Sequence, residues 1–242
     1  MFNKLIAMTA QKIQKYLRQF ASKEKAKLLQ GFFKTGPGQY GEGDIFLGVM
    51  VPNIRLTVKE FADAPIAEVL KLLRSFFHEE RLLALLLLVR KFEKGDEVVR
   101  KRIYTHYLKN TKYINNWDLV DLSAPKIVGP WLDGRSRSLL YRFARSKYIW
   151  ERRIAILATF PFIRKGDFAD ALALSETLLA DDHDLMHKAV GWMLREVGKK
   201  DVVVLEGFLR KNYDHMPRTA LRYAIERFPE AKRKKYLRNE IK

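Results

Sequence analysis

Two side chains that could act together, Trp117 and Asp121, lie four residues apart in the segment NNWDLVD at residues 115–121. Residues at this spacing lie on one face of an α-helix. An indole face and a carboxylate both attract positive charge, so the pair could stabilise a cationic group during a reaction. Simpler interpretations remain open. Trp117 could belong to the core, Asp121 could pair with a surface arginine, and Asp118 could only balance the helix dipole.

The chain is strongly basic, since 46 Lys and Arg against 28 Asp and Glu leave a formal net charge of +18 over 242 residues. An excess of this size usually indicates a polyanionic partner, with nucleic acid ahead of an anionic membrane surface. Residues 135–165 hold nine basic side chains and one acid, a net charge of +8. Most are arginines, which favours bidentate phosphate contacts over plain solvation, the alternative. The nine are Arg135, Arg137, Arg142, Arg145, Lys147, Arg152, Arg153, Arg164 and Lys165.

Several kinds of chemistry are excluded by what the sequence lacks. With no cysteine, the chain cannot form a disulfide, a thiolate nucleophile or a Cys-ligated zinc site. His183 and His187 have the spacing of two zinc ligands on a helix, but no Glu follows the first of them as in metalloproteases, which favours a surface pair. No P-loop, GxSxG elbow or dinucleotide fingerprint occurs, and nothing indicates a metal or another cofactor.

The sequence has no segment that predicts membrane insertion. Its longest apolar run, residues 82–89, is too short to cross a bilayer. Residues 1–19 mix basic and apolar side chains at helical spacing, which predicts an amphipathic first helix rather than a signal peptide. We therefore expect a soluble protein, located in the cytoplasm and associated with the nucleoid.

The spacing of apolar residues predicts an all-α protein. Apolar residues recur at i, i+3, i+4 and i+7 in most windows, and no convincing strand pair or hairpin turn occurs. The β-branched run at residues 202–204 follows an N-cap candidate and is assigned to a helix. Helices are predicted to begin near Thr9, Lys23, Thr57, Pro65, His78, Asp96, Asn115, Ser136, Tyr148, Asp167, His183, Asp201, Pro217 and Pro229.

The helices repeat in pairs. Arg81 precedes Gly95-Asp96 by about the distance that separates Arg152 from Gly166-Asp167, and the second copy follows the first by 71 residues, about two units of thirty-five. A third helix closes similarly before Asp201. This pattern predicts an α-solenoid of HEAT-like two-helix repeats, a single domain over residues 1–242 with a concave basic face.

One irregular insert interrupts the helices. Residues 35–44 contain four glycines and one proline, which excludes a helix. Backbone amides in such a loop could hold a phosphate, although no nucleotide-binding fingerprint matches. A long connector is an equally good interpretation.

Four segments in order resemble the AlkD-like DNA alkylation repair family, the HEAT-repeat DNA glycosylases. They are FLGVMVPNIR at residues 46–55, NNWDLVD at 115–121, WERR at 150–153 and VGWM at 190–193. The ordered set covers nearly the whole chain, although no single motif is specific. The resemblance implies a monofunctional DNA glycosylase that hydrolyses the N-glycosidic bond of N3- or N7-alkylated purines in double-stranded DNA, as a monomer and without a cofactor.

The resemblance also implies the roles of particular residues. Asp121 would stabilise an oxocarbenium-like sugar and orient the attacking water, and Trp117 and Trp192 would supply aromatic faces. Arg153 would hold the DNA backbone, with the register between it and Arg152 open by one residue. Further residues expected on the DNA side are Gln39, Tyr40, Arg145 and Lys147.

Two other functions fit parts of the sequence. A non-catalytic helical-repeat module that binds nucleic acid or an acidic protein would explain the composition, the repeats and the arginine run. Peripheral membrane binding rests on charge alone. Release of free base from methylated DNA separates the glycosylase from both, because a binding module cannot cleave the bond.

Overall fold

The computed structural model describes residues 8–240, which are helical with no strand. One isolated parallel bridge joins Ile45 to Phe77. The prediction of an all-α, solenoid-like fold is confirmed. Within residues 8–240, no helix has both the length and the hydropathy needed to cross a membrane. The predicted amphipathic helix over residues 1–19 lies partly outside the described residues.

The chain divides into two compact units, Met1–Ser123 and Ala124–Lys242, called unit 1 and unit 2 below. Our predictions of a single domain over residues 1–242 and of a concave basic face stay predictions. The helices of unit 1 are α1 Ala10–Arg18, α2 Lys23–Phe32, α3 Val51–Glu60, α4 Ile66–Leu73, α5 His78–Lys94, α6 Glu97–Lys109 and α7 Trp117–Asp121, with a 3₁₀ turn at Thr111–Tyr113. The helices of unit 2 are α8 Ala124–Leu132, α9 Ser138–Ala144, α10 Ile149–Leu157, α11 Phe160–Arg164, α12 Ala169–Leu178, α13 Asp184–Lys200, α14 Val202–Asn212, α15 Arg218–Ala224 and α16 Glu230–Leu237, with a 3₁₀ turn at Tyr213–His215.

Three predicted helix starts are confirmed by N-cap hydrogen bonds. The side chains of Thr9, Asp96 and Asp201 each accept a hydrogen bond from a backbone amide in the first turn that follows. The start predicted at Thr57 is wrong, because α3 already begins at Val51 with a proline in its first turn. The Thr57 hydroxyl instead donates to the carbonyl oxygen of Asn53, one turn back in the same helix.

Two helices that contain a proline were not predicted. Pro130 lies inside α8, and Pro161 occupies the first turn of α11. A proline in the first turn costs no hydrogen bond, because the amides there have no partner within the helix. Pro161 is therefore compatible with α11.

One long helix organises the core of each unit. In unit 1, α5 packs against α3, α4, α6 and α7, and its leucines Leu83, Leu85 and Leu87 are fully buried. In unit 2, α13 packs against α10, α11, α12, α14 and α15. A Cβ added at Gly191 of α13 would lie 2.5 Å from the carbonyl oxygen of Ala220, so α13 and α15 approach closely next to Trp192.

The predicted repeat is visible as a hydrogen-bonded turn before α5. The Ser75 hydroxyl accepts from the amide of Phe77 at 3.1 Å and donates to Glu80 at 2.6 Å. Arg81 donates to the carbonyl oxygens of Ser75 and Phe76, both at 3.1 Å. These bonds connect the first turn of α5 to the segment that precedes it.

The same turn precedes α10, 71 residues later. The Ser146 hydroxyl accepts from the amide of Tyr148 at 3.1 Å and donates to Glu151 at 2.7 Å. Arg152 donates to the carbonyl oxygens of Ser146 and Lys147 at 3.0 and 3.1 Å. The two copies therefore share a mechanism for starting a helix, and this supports the repeat found in the sequence.

Candidate active site

The short helix α7 carries the two residues that the sequence singled out. Asn116 caps it, since its side-chain oxygen accepts from the amide of Trp117 at 2.9 Å. The helix spans only Trp117–Asp121, so Trp117 and Asp121 are one turn apart, as predicted. Both side chains are partly exposed, whereas Asp118 between them is buried. The carboxylate of Asp121 and the indole of Trp117 can therefore both face a ligand.

Aromatic rings support the indole of Trp117. The Phe33 ring stacks on it with centroids 5.2 Å apart and planes 20° apart. Phe32 meets it edge-on at 6.0 Å and is 64% exposed, so the aromatic surface extends beyond the indole. Sequence analysis did not select either phenylalanine. Two adjacent phenylalanines at the end of α2, just before the glycine-rich loop, are the feature of the sequence that could have indicated an aromatic surface.

The charge of Asp121 acts on the buried phenol of Tyr107. Tyr107 is fully buried and its hydroxyl is 2.9 Å from that of Ser123. Burial raises the pKa of Tyr107, the Ser123 hydrogen bond opposes this rise, and the charge of Asp121 adds to it.

A buried cluster of charged residues anchors the start of α7. The His78 ring lies between two carboxylates, with Nδ1 2.9 Å from Asp44 and Nε2 2.8 Å from Asp118. Asp44 also accepts from Arg81 and, at 3.2 Å, from the Asn116 amide. All five residues are buried. The cluster joins α5 and α7 to the end of the glycine-rich loop, where Asp44 lies.

The charge state of His78 follows from its neighbours. Burial alone would lower the pKa of His78, but the charges and hydrogen bonds of Asp118 and Asp44 outweigh it and raise the pKa to about 9. Burial would likewise raise the pKa of Asp44, yet the His78 hydrogen bond and the charge of Arg81 hold it below its usual value. The imidazole is therefore an imidazolium at neutral pH, donating from both nitrogens.

The two glutamates after His78 also bind other segments. Glu79 accepts from the three backbone amides of residues 47–49, at 2.8 to 3.1 Å. Glu80 accepts from Gln14, Arg18 and Ser75. Sequence analysis missed this role for residues 78–81. The available signal was four consecutive ionisable residues immediately before an apolar run, since such residues are rarely buried without partners.

The glycine-rich loop is folded against the end of α2. Gln39 is exposed, and its side-chain oxygen accepts from the amide of Gly36 at 3.0 Å. The Tyr40 hydroxyl donates to the carbonyl oxygen of Phe32 at 3.4 Å. A Cβ added at Gly41 would collide with the carbonyl oxygen of Phe33. Tyr40 thus lies next to Phe32, whose ring meets that of Trp117, whereas the contact of Gln39 is within the loop itself.

The remaining predicted site residues belong to unit 2, among them Trp192 and Arg153. Trp192 of α13 is partly exposed and lies 6.4 Å from the Phe160 ring. Arg153 of α10 is buried, and its Nη1 donates to the carbonyl oxygen of Leu185 at 2.6 Å. Arg153 thereby connects α10 to the first turn of α13, a role that the sequence did not indicate.

Arg152 and Arg145 differ in their surroundings. Arg152 is paired with Asp181 at 2.5 Å and bonded to two carbonyl oxygens, so its guanidinium maintains the turn before α10. These contacts do not favour the DNA-binding role predicted for it. Arg145 and Lys147 are exposed, and Arg145 lines an open groove of about 750 Å³ together with Arg142. Among the four basic residues predicted to bind DNA, Arg145 and Lys147 are therefore the two exposed ones.

Some arginines of the run are held within the fold by carboxylates, whereas others are exposed. Arg137 pairs with Asp167 and Asp170 at 2.6 and 2.5 Å, which makes it a second structural arginine in addition to Arg152.

In the described part of the chain, no group of three or more His, Asp or Glu residues is placed to hold a metal ion. The pair His183 and His187 interacts instead with backbone near Asp181 and Leu185.

Comparisons with known proteins agree with this fold. A model of the family described as DNA alkylation repair enzyme matches residues 13–228. A solved structure described as a predicted DNA alkylation repair enzyme from Enterococcus faecalis is similar with a TM-score of 0.69 at 15% identity, over 87% of this chain and 97% of that one. A search of curated proteins found no match. Because the family model covers most of its length, the chain belongs to the DNA alkylation repair enzyme family.

Proposed function

We propose that the protein is a monofunctional DNA glycosylase that removes N3- and N7-alkylated purines, such as 3-methyladenine and 7-methylguanine, from double-stranded DNA. The observation that carries the proposal is that Trp117 and Asp121, both partly exposed, lie one turn apart on α7, with aromatic rings packed against Trp117. Membership of an alkylation repair family makes damaged DNA the expected substrate.

The chemistry suits a site with one carboxylate and aromatic faces. Alkylation at N3 or N7 puts a positive charge on the base, which makes it a good leaving group without strong acid catalysis. As the N-glycosidic bond breaks, its electron pair neutralises the base and C1′ of the sugar becomes oxocarbenium-like. A water oxygen then bonds to C1′ and loses a proton. Positive charge thus moves from the base to the sugar.

Each candidate residue has a place in this scheme. Asp121 stabilises the cationic sugar and orients the water. Trp117 presents an indole face to polarised C–H groups, and Trp192 has the same role in unit 2. Exposed Arg145 and Lys147 are the proposed contacts to the DNA backbone, with Gln39 and Tyr40 as further DNA-side residues, whereas Arg153, which the sequence suggested for the backbone contact, is buried. The protein needs no cofactor for this hydrolysis and acts as a monomer.

The experiment is base release from DNA treated with a methylating agent, with the products separated by chromatography. We expect free 7-methylguanine or 3-methyladenine from the wild type, and a rate lower by about a hundredfold or more for Asp121→Asn. Asp63→Asn is the matched control, because Asp63 is an exposed aspartate of unit 1. Salt-sensitive DNA binding without base release by the wild type would overturn the proposal and favour a non-catalytic module.

A further inference from the structure

His78 is a buried ionisable residue that the proposed hydrolysis does not use. It touches two elements that are distant in the sequence, the loop through Asp44 and α7 through Asp118. Its ring also stacks on Phe46 at 4.5 Å and lies 4.9 Å from Phe33. A charged imidazole in such a place has a desolvation cost, so its contacts need an explanation.

We propose that His78 is a positioning residue of the active site, which holds α7 against the glycine-rich loop and thereby sets the positions of Trp117 and Asp121. The proposal rests on the proposed function for its kinetic consequences. It also has a structural consequence that can be measured without any activity.

Two routes lead from His78 to the site. The first runs through Asp118, which directly follows Trp117 and lies three residues before Asp121. The second runs through Phe33, whose ring lies between those of His78 and Trp117. Because α7 has only five residues, few hydrogen bonds of its own hold it, and its position depends on such tertiary contacts.

The groups that face His78 require both of its nitrogens to donate. Asp44 comes from the loop and Asp118 from α7, and each accepts one bond as a carboxylate. A neutral imidazole donates from one nitrogen only, so one carboxylate would lose its bond. Arg81 pairs with Asp44 and leaves Asp118 to His78 alone among the described cationic side chains. The second oxygen of Asp118 is buried without a hydrogen-bond partner in the described part of the chain, so the bond from His78 is its principal anchor.

The second copy of the repeat shows that the helix turn itself does not need a histidine. Ile149 occupies the position 71 residues after His78, and the turn before α10 keeps its serine, glutamate and arginine hydrogen bonds. The histidine is therefore additional to what the repeat requires. Its two partners belong to the loop and the helix that surround Trp117, which indicates a role in the site.

Two neutral variants separate the two hydrogen bonds of His78. In His78→Gln the side-chain amide can reach toward Asp118, as Nε2 does, whereas in His78→Asn the shorter amide can reach only toward Asp44, as Nδ1 does. Both lose the same charge. We expect His78→Asn to lower the single-turnover rate of base release by about tenfold or more, with DNA affinity within about twofold of the wild type. His78→Gln should recover a measurable part of that loss.

A spectroscopic measurement tests the positioning directly. Protein labelled with 5-fluorotryptophan contains four tryptophans, and the ¹⁹F resonance of Trp117 is assigned by its absence in Trp117→Phe. We expect this resonance to shift or broaden in His78→Asn and to lie closer to the wild-type position in His78→Gln. Ile103→Val, a change in the core of α6, is the control for lost stability without a change in the cluster.

The outcomes distinguish this proposal from the proposed function. An unmoved Trp117 resonance in His78→Asn would overturn the positioning role, as would a rate loss that Ile103→Val reproduces at equal loss of melting temperature. If the wild type released no base, the glycosylase would be refuted. The ¹⁹F shift would then still decide whether His78 positions Trp117.

Discussion

The turns before α5 and α10 are two copies of one hydrogen-bonded structure that differ in the side chains they carry. Both use a serine, a glutamate and an arginine to tie the helix start to the preceding segment. At the two positions directly before the glutamate, the first copy has His78 and Glu79 and the second has Ile149 and Trp150. The shared residues maintain the repeat. The differing residues hold the loop and α7 in unit 1, and supply apolar packing in unit 2 at the buried Trp150.

The largest expected difference between the copies is in the cost of removing their arginines. Arg81 and Asp44 have side chains only 5% and 3% exposed, whereas Arg152 is 19% exposed beside Asp181. Arg81→Ala leaves Asp44 as a buried charge with one cation fewer, and we expect it to cost about 3–5 kcal/mol. Arg152→Ala should cost less, because the Arg152 side chain is 19% exposed and already partly hydrated, although its partner Asp181 is only 5% exposed. Urea denaturation of both variants measures this, and equal losses would contradict the distinction.

The aromatic surface in unit 1 should matter more for rate than for folding. Trp117→Leu keeps an apolar side chain and removes the indole face. We expect the single-turnover rate of base release to fall by about 2- to 30-fold, corresponding to about 0.5–2 kcal/mol of cation–π stabilisation. Trp131→Leu in α8 is the matched control. Equal rates in the two variants would remove Trp117 from the mechanism.

Of the two turns, only the one before α5 contains a histidine, so only that turn should make the melting temperature depend on mildly alkaline pH. The pKa of His78 is raised to about 9 in the folded protein, against 6.5 for an ordinary histidine. A raised pKa means that the stabilisation is complete below about pH 6.5 and is lost as the pH rises through about 9. We expect the melting temperature to fall across this window, by about 2–4 °C for each kcal/mol lost. His78→Asn should flatten that fall, and an unchanged slope would show that another group causes it.

The smallest expected effect is on the salt dependence of DNA binding, to which the arginines of unit 2 contribute unequally. Arg145 is exposed while Arg152 is paired with Asp181, so only Arg145 should contribute to the salt dependence of DNA binding. We expect Arg145→Ala to reduce the slope of log K against log salt by about 0.9, and Arg152→Ala to leave it unchanged. Fluorescence anisotropy over a salt series gives both slopes. A reduced slope for Arg152→Ala would restore the role that the sequence predicted for it.

Local signals in the sequence explain what could be predicted. The caps at Thr9, Asp96 and Asp201 act over a few residues, and Trp117 and Asp121 share a face because of helical spacing. The repeat was found because Gly-Asp pairs recur at a fixed interval.

The residues that position the site were missed because their partners are far away in the chain. His78 binds Asp44 and Asp118, which lie 34 and 40 residues away, and no periodicity reports such pairs. The hydrogen bonds that Arg152 and Arg153 make within the protein were missed for the same reason. Their partners Asp181 and Leu185 lie 29 and 32 residues further along the chain. Charge counting assigned these arginines to the surface, because it takes no account of burial.

The central claim is that the two aspartates of α7 divide their work, with Asp121 acting on the substrate and Asp118 anchoring the helix. Excision of a single 7-methylguanine from a defined duplex, measured under single turnover beside the melting temperature, compares Asp121→Asn with Asp118→Asn. We predict that Asp121→Asn loses about a hundredfold or more in rate with an unchanged melting temperature, and that Asp118→Asn lowers both quantities. Near wild-type excision by Asp121→Asn would contradict the account.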